Sequence, residues 1–180
     1  MNNELNITGL KHGGIIGGLA AIVSLLLIMI SRDLYMTMSG IGIPLMSLTL
    51  FILLGIKERK EQYDNALDYG EAFIYSAIAL FIVGYMTSFV NISIIRFIDP
   101  EIQNVLLNEG MAQAEKMFEM VSMSEKEIDE QMINMEIELK NSFNYMSLVS
   151  KSWAHLLSAA FLGAIAAIFI KKSQPDFAEE

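Results

Sequence analysis

Apolar residues arrive along this chain in four long blocks separated by charge. Gly13 to Ile30, Ile41 to Ile56, Ala72 to Ile95 and Trp153 to Ile170 contain no Asp, Glu, Lys or Arg. At a helical rise of about 1.5 Å per residue, roughly 20 apolar residues cross a bilayer core of about 30 Å. The pattern therefore predicts four membrane-spanning helices. The second block is the shortest, and it reaches full length by recruiting Leu34 to Gly40 and accommodating Pro44. Lys11 and His12 ahead of the first block resemble the start of a signal peptide. The block is too long for that role and no small-x-small cleavage site follows it, so a retained anchor is expected.

Between the third and fourth blocks the periodicity changes. Asp99-Pro100-Glu101 has the composition of a helix start: an N-cap acceptor, a proline where its missing N–H costs nothing, and an acid favoured by the helix dipole. Ile102, Val105, Leu106, Met117, Phe118 and Val121 then recur at helical spacing, with Gly110 weakening the middle. Ser124 with Glu127 has capping-box spacing. The stripe Ile128, Met132, Met135, Leu139, Phe143 and Met146 follows, flanked by acids, as in an amphipathic helix. No Gly or Pro lies between Met111 and Leu162. The second of these helices is expected to run unbroken into the fourth span, and the third span to pass into the first helix with only a kink at Pro100.

The predicted fold is all-α: a four-helix transmembrane bundle with an extramembrane helical hairpin between the third and fourth spans. Residues 1–98 hold three spans, 99–147 the hairpin, and 148–180 the fourth span and tail. The hairpin can stand upright or lie flat on the lipid. Eleven carboxylates against five basic side chains between Arg96 and Ser152 favour the upright form, since anionic lipid repels acidic faces.

An even span count puts both termini on one side. Lys11, Lys57, Arg59, Lys60, Lys171 and Lys172 lie near the membrane there, against Arg32, Arg96 and Lys151 on the other side. The positive-inside rule makes both termini cytoplasmic. Tyr35, Tyr69, Tyr75, Tyr145 and Trp153 fall at span edges, where aromatic side chains anchor in the headgroup region.

Composition narrows the function classes. With 53% hydrophobic residues and a net charge of −9, the chain is committed to lipid and lacks the clustered cations of a nucleic-acid binder. It has no cysteine, so disulfides, zinc thiolates and cysteine nucleophiles are excluded. No phosphate-binding glycine loop, HExxH or nucleophile elbow is present. Met117, Met120, Met123, Met132 and Met135 repeat at three-residue steps. Thioethers suit Cu(I), but methionine also fills irregular apolar faces, and packing is the expected role. No cofactor and no metal site is expected, and the chain is expected not to be an enzyme.

Small residues repeat every fourth position on two spans: Gly13, Gly17 and Ala21 on the first, and Ala159, Gly163 and Ala167 on the fourth. Such rows let helix backbones approach closely in lipid, and the expected pairing is the first span on the fourth. A homodimer seam is the alternative. Tyr85, Ser88 and Asn91 form a polar stripe on the third span, with Thr87 beside it and His155 and Ser158 as plausible partners across a helix interface. Asp68 and Glu71 at the mouth of the third span suit a helix N-terminus.

Lys11-His12-Gly13-Gly14-Ile15-Ile16-Gly17, then Gly70-Glu71-Ala72-Phe73, then Asp99-Pro100-Glu101, in that order along nearly the whole chain, resemble a family of small four-span membrane proteins. The family is common in Bacteroidetes and is catalogued as the domain of unknown function forty-one ninety-nine. The resemblance implies the same architecture in a bacterial inner membrane and brings no catalytic residue. The expected role is a structural, assembly or interaction protein, whose partners are the lipid bilayer and either a second copy or another membrane protein. The alternative is a small transporter or channel subunit using the polar stripe.

Overall fold

The protein is described by a computed structural model covering residues 3–120 and 125–172. Its described residues are helical apart from short connections, with one isolated antiparallel pairing between Leu67 and Lys172. Helix α1 spans Asn3–Ile30. Helix α2 (Arg32–Thr37), a π-helical turn (Met38–Gly42) and α3 (Ile43–Gln62) run on as one path. Helix α4 (Tyr69–Ser93) passes into a second π-helical turn (Ile94–Ile98). Then come α5 (Glu101–Met120), α6 (Glu125–Ser142), α7 (Tyr145–Ser150) and α8 (Ser152–Ile170). Four stretches are long and apolar enough to cross a membrane: Asn3–Ile30, Arg32–Gln62, Tyr69–Ile98 and Ser152–Ile170.

The second span solves its proline problem locally. Pro44 lies in the first turn of α3, directly after the π-helical turn, and the Ile43 N–H reaches back to the Met38 carbonyl. A proline inside an uninterrupted α-helix would clash with the carbonyl four residues earlier, and the wider turn relieves that clash.

The chain forms two compact units, Met1–Ser88 with Lys151–Glu180, and Phe89–Ser150. Tyr145 ties the start of the second unit to its end. Its hydroxyl is 2.9 Å from Ser93 Oγ, its ring lies 5.2 Å from that of Phe89, and the Arg96 guanidinium sits 5.5 Å above its face. These contacts join the end of α4 to α7 within the second unit.

Neither end of the hairpin continues as expected. Asp99 breaks the path from α4. Its N–H closes the π-helical turn onto the Ile94 carbonyl, and its side chain accepts from the Glu101 N–H at 3.2 Å, opening α5 as an N-cap. Between α6 and α8 the chain breaks without Gly or Pro. Asn144 accepts from the Met146 N–H at 3.2 Å, and the Ser147 hydroxyl donates to the Ser142 and Asn144 carbonyls. Short polar side chains compete with the helix for backbone partners, and a run rich in Asn and Ser ends α6 by that route. The expected start at Ser124, with Val121 and Met123, lies outside the described residues.

Within the hairpin, Ile102, Leu106, Gly110, Ala114 and Phe118 step by four along α5, and all are buried or half-buried. Met117 is exposed instead of sharing that face. Gly110 is part of the seam and not merely a weak point. A Cβ there would stand 3.1 Å from Leu139 Cδ1, so the absent side chain is what admits Leu139.

Candidate functional site

The first unit is assembled on small residues. A Cβ at Gly13 would meet the Ala79 carbonyl oxygen at 2.6 Å, one at Gly17 would meet Met86 Sδ at 2.8 Å, and one at Gly9 the Tyr75 carbonyl oxygen at 3.0 Å. The row on the first span thus faces α4, not α8 as expected. The row on α8 faces α4 too, since a Cβ at Gly163 would lie 3.0 Å from the Ala77 amide. Ala159 and Ala167 are buried. Ala21 is only half-buried, and Ala20 and Ser24 take the interior positions. At the parallel residues Gly14 and Gly18, a Cβ would meet nothing within 4 Å. The third span is the common partner, and it meets the two rows with small side chains of its own at Ala79, opposite Gly13, and at Ala77, opposite Gly163.

That close approach brings polar side chains from three spans together. His12 of α1 lies on the same stripe as Gly9 and Ile16. Its Nδ1 is 2.5 Å from the Tyr75 hydroxyl of α4, and its Nε2 is 3.8 Å from Glu58 Oε2 of α3. The His12 and Glu58 side chains retain only 14% and 12% of their accessible surface. Tyr75 is buried to 1%, its ring tilted against Phe51 at 5.0 Å and seated over Gly55, where a Cβ would approach Tyr75 Cε1 to 3.2 Å. Tyr75 is therefore an interior residue and not a headgroup anchor, and Tyr35 is buried as well. Tyr69 and Trp153 are exposed.

The partners select the imidazole tautomer. A bare nitrogen lone pair facing the Glu58 carboxylate would be repelled, so the neutral ring carries its proton on Nε2. Nδ1 is then an acceptor, and the Tyr75 O–H donates to it. The phenol–imidazole hydrogen bond is thereby given a direction, while at 3.8 Å the Glu58 carboxylate acts on the Nε2–H side through its charge and not through a hydrogen bond.

Arg59, next to Glu58, is 8% exposed. Its Nη1 donates to the Ile170 carbonyl at 2.5 Å and to the Lys171 carbonyl at 3.1 Å. A cation at the end of α8 satisfies carbonyls that the helix leaves open and suits its dipole. Beside it, Leu67 and Lys172 exchange backbone hydrogen bonds of 2.9 Å. The turn before Leu67 places Asp64 and Asn65 at φ of 48° and 58°. Asp68 then accepts from the Glu71 N–H at 2.9 Å, with Glu71 in the first turn of α4. Outside the spans, the Tyr63 phenol is raised above its usual value, first by partial burial and then by Glu58, Glu4 and Glu71.

The polar stripe is distributed differently. The Tyr85 ring meets His155 edge-on at 6.1 Å, and a Cβ at Gly84 would stand in ordinary contact with His155 Nδ1, at 3.8 Å. Ser158 is exposed, while Ser88 and Asn91 are half-buried. The Thr87 hydroxyl donates to its own helix, at the Val83 carbonyl. Met117 and Met120 are exposed, and Met132 and Met135 half-buried. Among the described residues, no three His, Cys, Asp or Glu side chains are grouped to hold a metal ion.

Linear pattern alone does not single out His12, Glu58 and Tyr75 as a cluster. One signal is present all the same: Leu5, Gly9, His12, Ile16 and Ala20 recur at three and four, which puts an imidazole on the buried stripe of an otherwise apolar helix.

No curated protein and no solved structure matches the chain. A family described as a protein of unknown function, DUF4199, matches residues 11–172, which takes in all four spans from Lys11 onward as well as the hairpin, and the chain belongs to that family.

Proposed function

We propose that this membrane protein is a non-enzymatic docking or assembly element of the bacterial inner membrane, with both termini cytoplasmic, that engages a partner through its acidic hairpin. The observation that carries this reading is a ridge on α6. Ile133 and Ile137, one turn apart, are 60% and 55% exposed, although the same helix already turns Met132, Met135 and Leu139 inward. Asp129, Glu130 and Glu136 flank the ridge, and Lys140 is engaged by Glu136. An apolar ridge between carboxylates is complementary to an amphipathic helix with a basic rim, and two acidic hairpins would repel one another. The partner of this reading is therefore a basic-rimmed helix of another membrane protein.

The test is a photo-reactive amino acid at Ile133 of the full-length protein in living cells. The expected product is one discrete protein adduct, joined at a Lys- or Arg-rich amphipathic segment and lost on Asp129→Lys with Glu130→Lys. Adducts to lipid alone, to a second copy alone, or to nothing overturn the reading. For orientation, reporter fusions at Glu180 and near Ser124 should report opposite compartments. The Lys and Arg bias supports cytoplasmic termini, and the Leu67–Lys172 pairing supports a loop and a C-terminal end on one side.

A second reading, a small transporter or channel subunit, draws on the Tyr85–His155 contact. It requires solute or ion flux in proteoliposomes that His155→Ala abolishes.

A further inference from the structure

We propose that His12, Glu58 and Tyr75 form a proton-binding site that couples the packing of the first, second and third spans to the pH of the aqueous phase at their end of the bundle. Each group comes from a different helix, and the imidazole bridges the other two through its two nitrogens, at 2.5 Å and 3.8 Å. Ionisable groups inside a membrane bundle are costly to hold, and they persist where they pair and act.

The chemistry follows from the donor count. With His12 neutral, Tyr75 donates to Nδ1 and Nε2–H faces Glu58, so every group has a complement. A proton taken up by His12 goes to Nδ1, the only nitrogen with a free lone pair. The hydrogen bond between α1 and α4 must then reverse, with Nδ1–H donating to the phenol oxygen. The Tyr75 O–H loses its acceptor in a fully buried position beside Phe51 and Gly55, and a buried donor without an acceptor is unfavourable. At the other nitrogen the change has the opposite sign, because an imidazolium is drawn to the Glu58 carboxylate. Protonation therefore strengthens the tie between α1 and α3 while weakening that between α1 and α4.

The surrounding groups leave this balance with His12. From α3 the charge acting on it is Glu58, while the neighbouring Arg59 is engaged with the end of α8. From α4 it meets Tyr75. The connection after α3 contributes Tyr63, which acts on Tyr75 and lies in the field of Glu58, Glu4 and Glu71. Helix α8 presents Ile170, which packs at Gly55 beside Tyr75 and does not titrate.

The experiment uses the full-length protein in nanodiscs, with melting temperature recorded from pH 8 to pH 5 for wild type, His12→Gln and Glu58→Gln. Other carboxylates titrate in all three, so differences between the profiles carry the result. The Glu58→Gln profile should fall more steeply on acidification than wild type, by about 3 °C or more, because the proton then enters without its counter-charge. The His12→Gln profile should lack the wild-type inflection between pH 5 and pH 8. Parallel profiles for all three overturn the proposal. Should His12→Gln fail to fold, nitrogen-15 spectra of histidine-labelled His155→Gln protein read the site directly. They should show a neutral His12 protonated on Nε2, and Tyr75→Phe should convert it to a mixture of tautomers. A neutral His12 protonated on Nδ1, or one indifferent to Tyr75→Phe, overturns it as well. None of these outcomes depends on a partner at α6.

Discussion

The two units of this protein contain glycines in helix interiors that do opposite things. In the bundle, Gly13 lets one backbone rest on another, since the atom nearest its missing Cβ is the main-chain oxygen of Ala79. In the hairpin, Gly110 faces the tip of a side chain, Leu139 Cδ1. A backbone cannot step aside without moving its helix, whereas a leucine can change rotamer. Lipid gives no hydrophobic drive for apolar helices to associate, so the bundle must gain from close van der Waals contact. The hairpin has polar outer faces and buries ordinary apolar side chains. Glycine is therefore indispensable at position 13 and nearly replaceable at position 110.

The comparison is tested most severely by placing one bulky residue at both kinds of site. Gly13→Leu should abolish the folded bundle in detergent, and Gly17→Leu should lower its stability more than Leu26→Ala does, Leu26 being exposed. Even Gly13→Ala should cost about 1–3 kcal/mol as overpacking against backbone. Gly18→Ala, where a Cβ would meet nothing within 4 Å, should leave the melting temperature unchanged or slightly raised by the gain in helix propensity. Equal tolerance at positions 13 and 18 would remove the close contact between the first and third spans.

Next in size is Arg59→Met. It leaves the Ile170 and Lys171 carbonyls without their donor, at a cost of about 2 kcal/mol for charge-assisted bonds in a buried setting. Thermal melts in detergent should show the loss, and the α8 end should gain hydrogen exchange at Lys171 and Lys172.

Smaller still is Gly110→Ala. A gain of about 0.8–1 kcal/mol in helix propensity is offset by the few tenths of an ångström Leu139 must yield, so the net change should be close to zero. A cysteine pair at Gly110 and Leu139 should crosslink within one chain, and more readily than a pair at Leu106 and Leu139, one turn away. Crosslinks between chains would make the seam intermolecular and dissolve the contrast between the units.

The smallest effect is the titration of Tyr63. Burial and the carboxylates of Glu58, Glu4 and Glu71 raise its phenol above the ordinary 10.0. For an acid held neutral by the fold, the stabilisation is fully present below about pH 10 and is lost as pH rises through the folded value. The phenolate absorbance missing from Tyr63→Phe should therefore appear above pH 10 in the native protein. Its appearance at or below that pH would break the link between Tyr63 and the carboxylates.

Much of this protein is legible in its residues. Four uncharged apolar blocks specify four spans, because no other arrangement satisfies so many backbone groups in lipid. Asp99-Pro100-Glu101 marks a helix start, and four-residue spacing of Gly and Ala marks close helix contacts, because capping and backbone approach are local matters of which atoms a residue has. The break after Ser142 also has local causes in Asn144 and Ser147, but an absence of Gly and Pro conceals it. What only the tertiary structure decided is pairing. A row of glycines states that a helix will come near and not which one, so the third span had to be seen beneath both Gly13 and Gly163. Glu58 and Tyr75 lie 46 and 63 positions beyond His12 along the chain, and nothing local to any one of the three requires the other two. Their meeting follows from the close approach of α1 to α4 at Gly9 and Gly13 and of α3 to α4 at Gly55, and those approaches depend on the packing of the whole bundle.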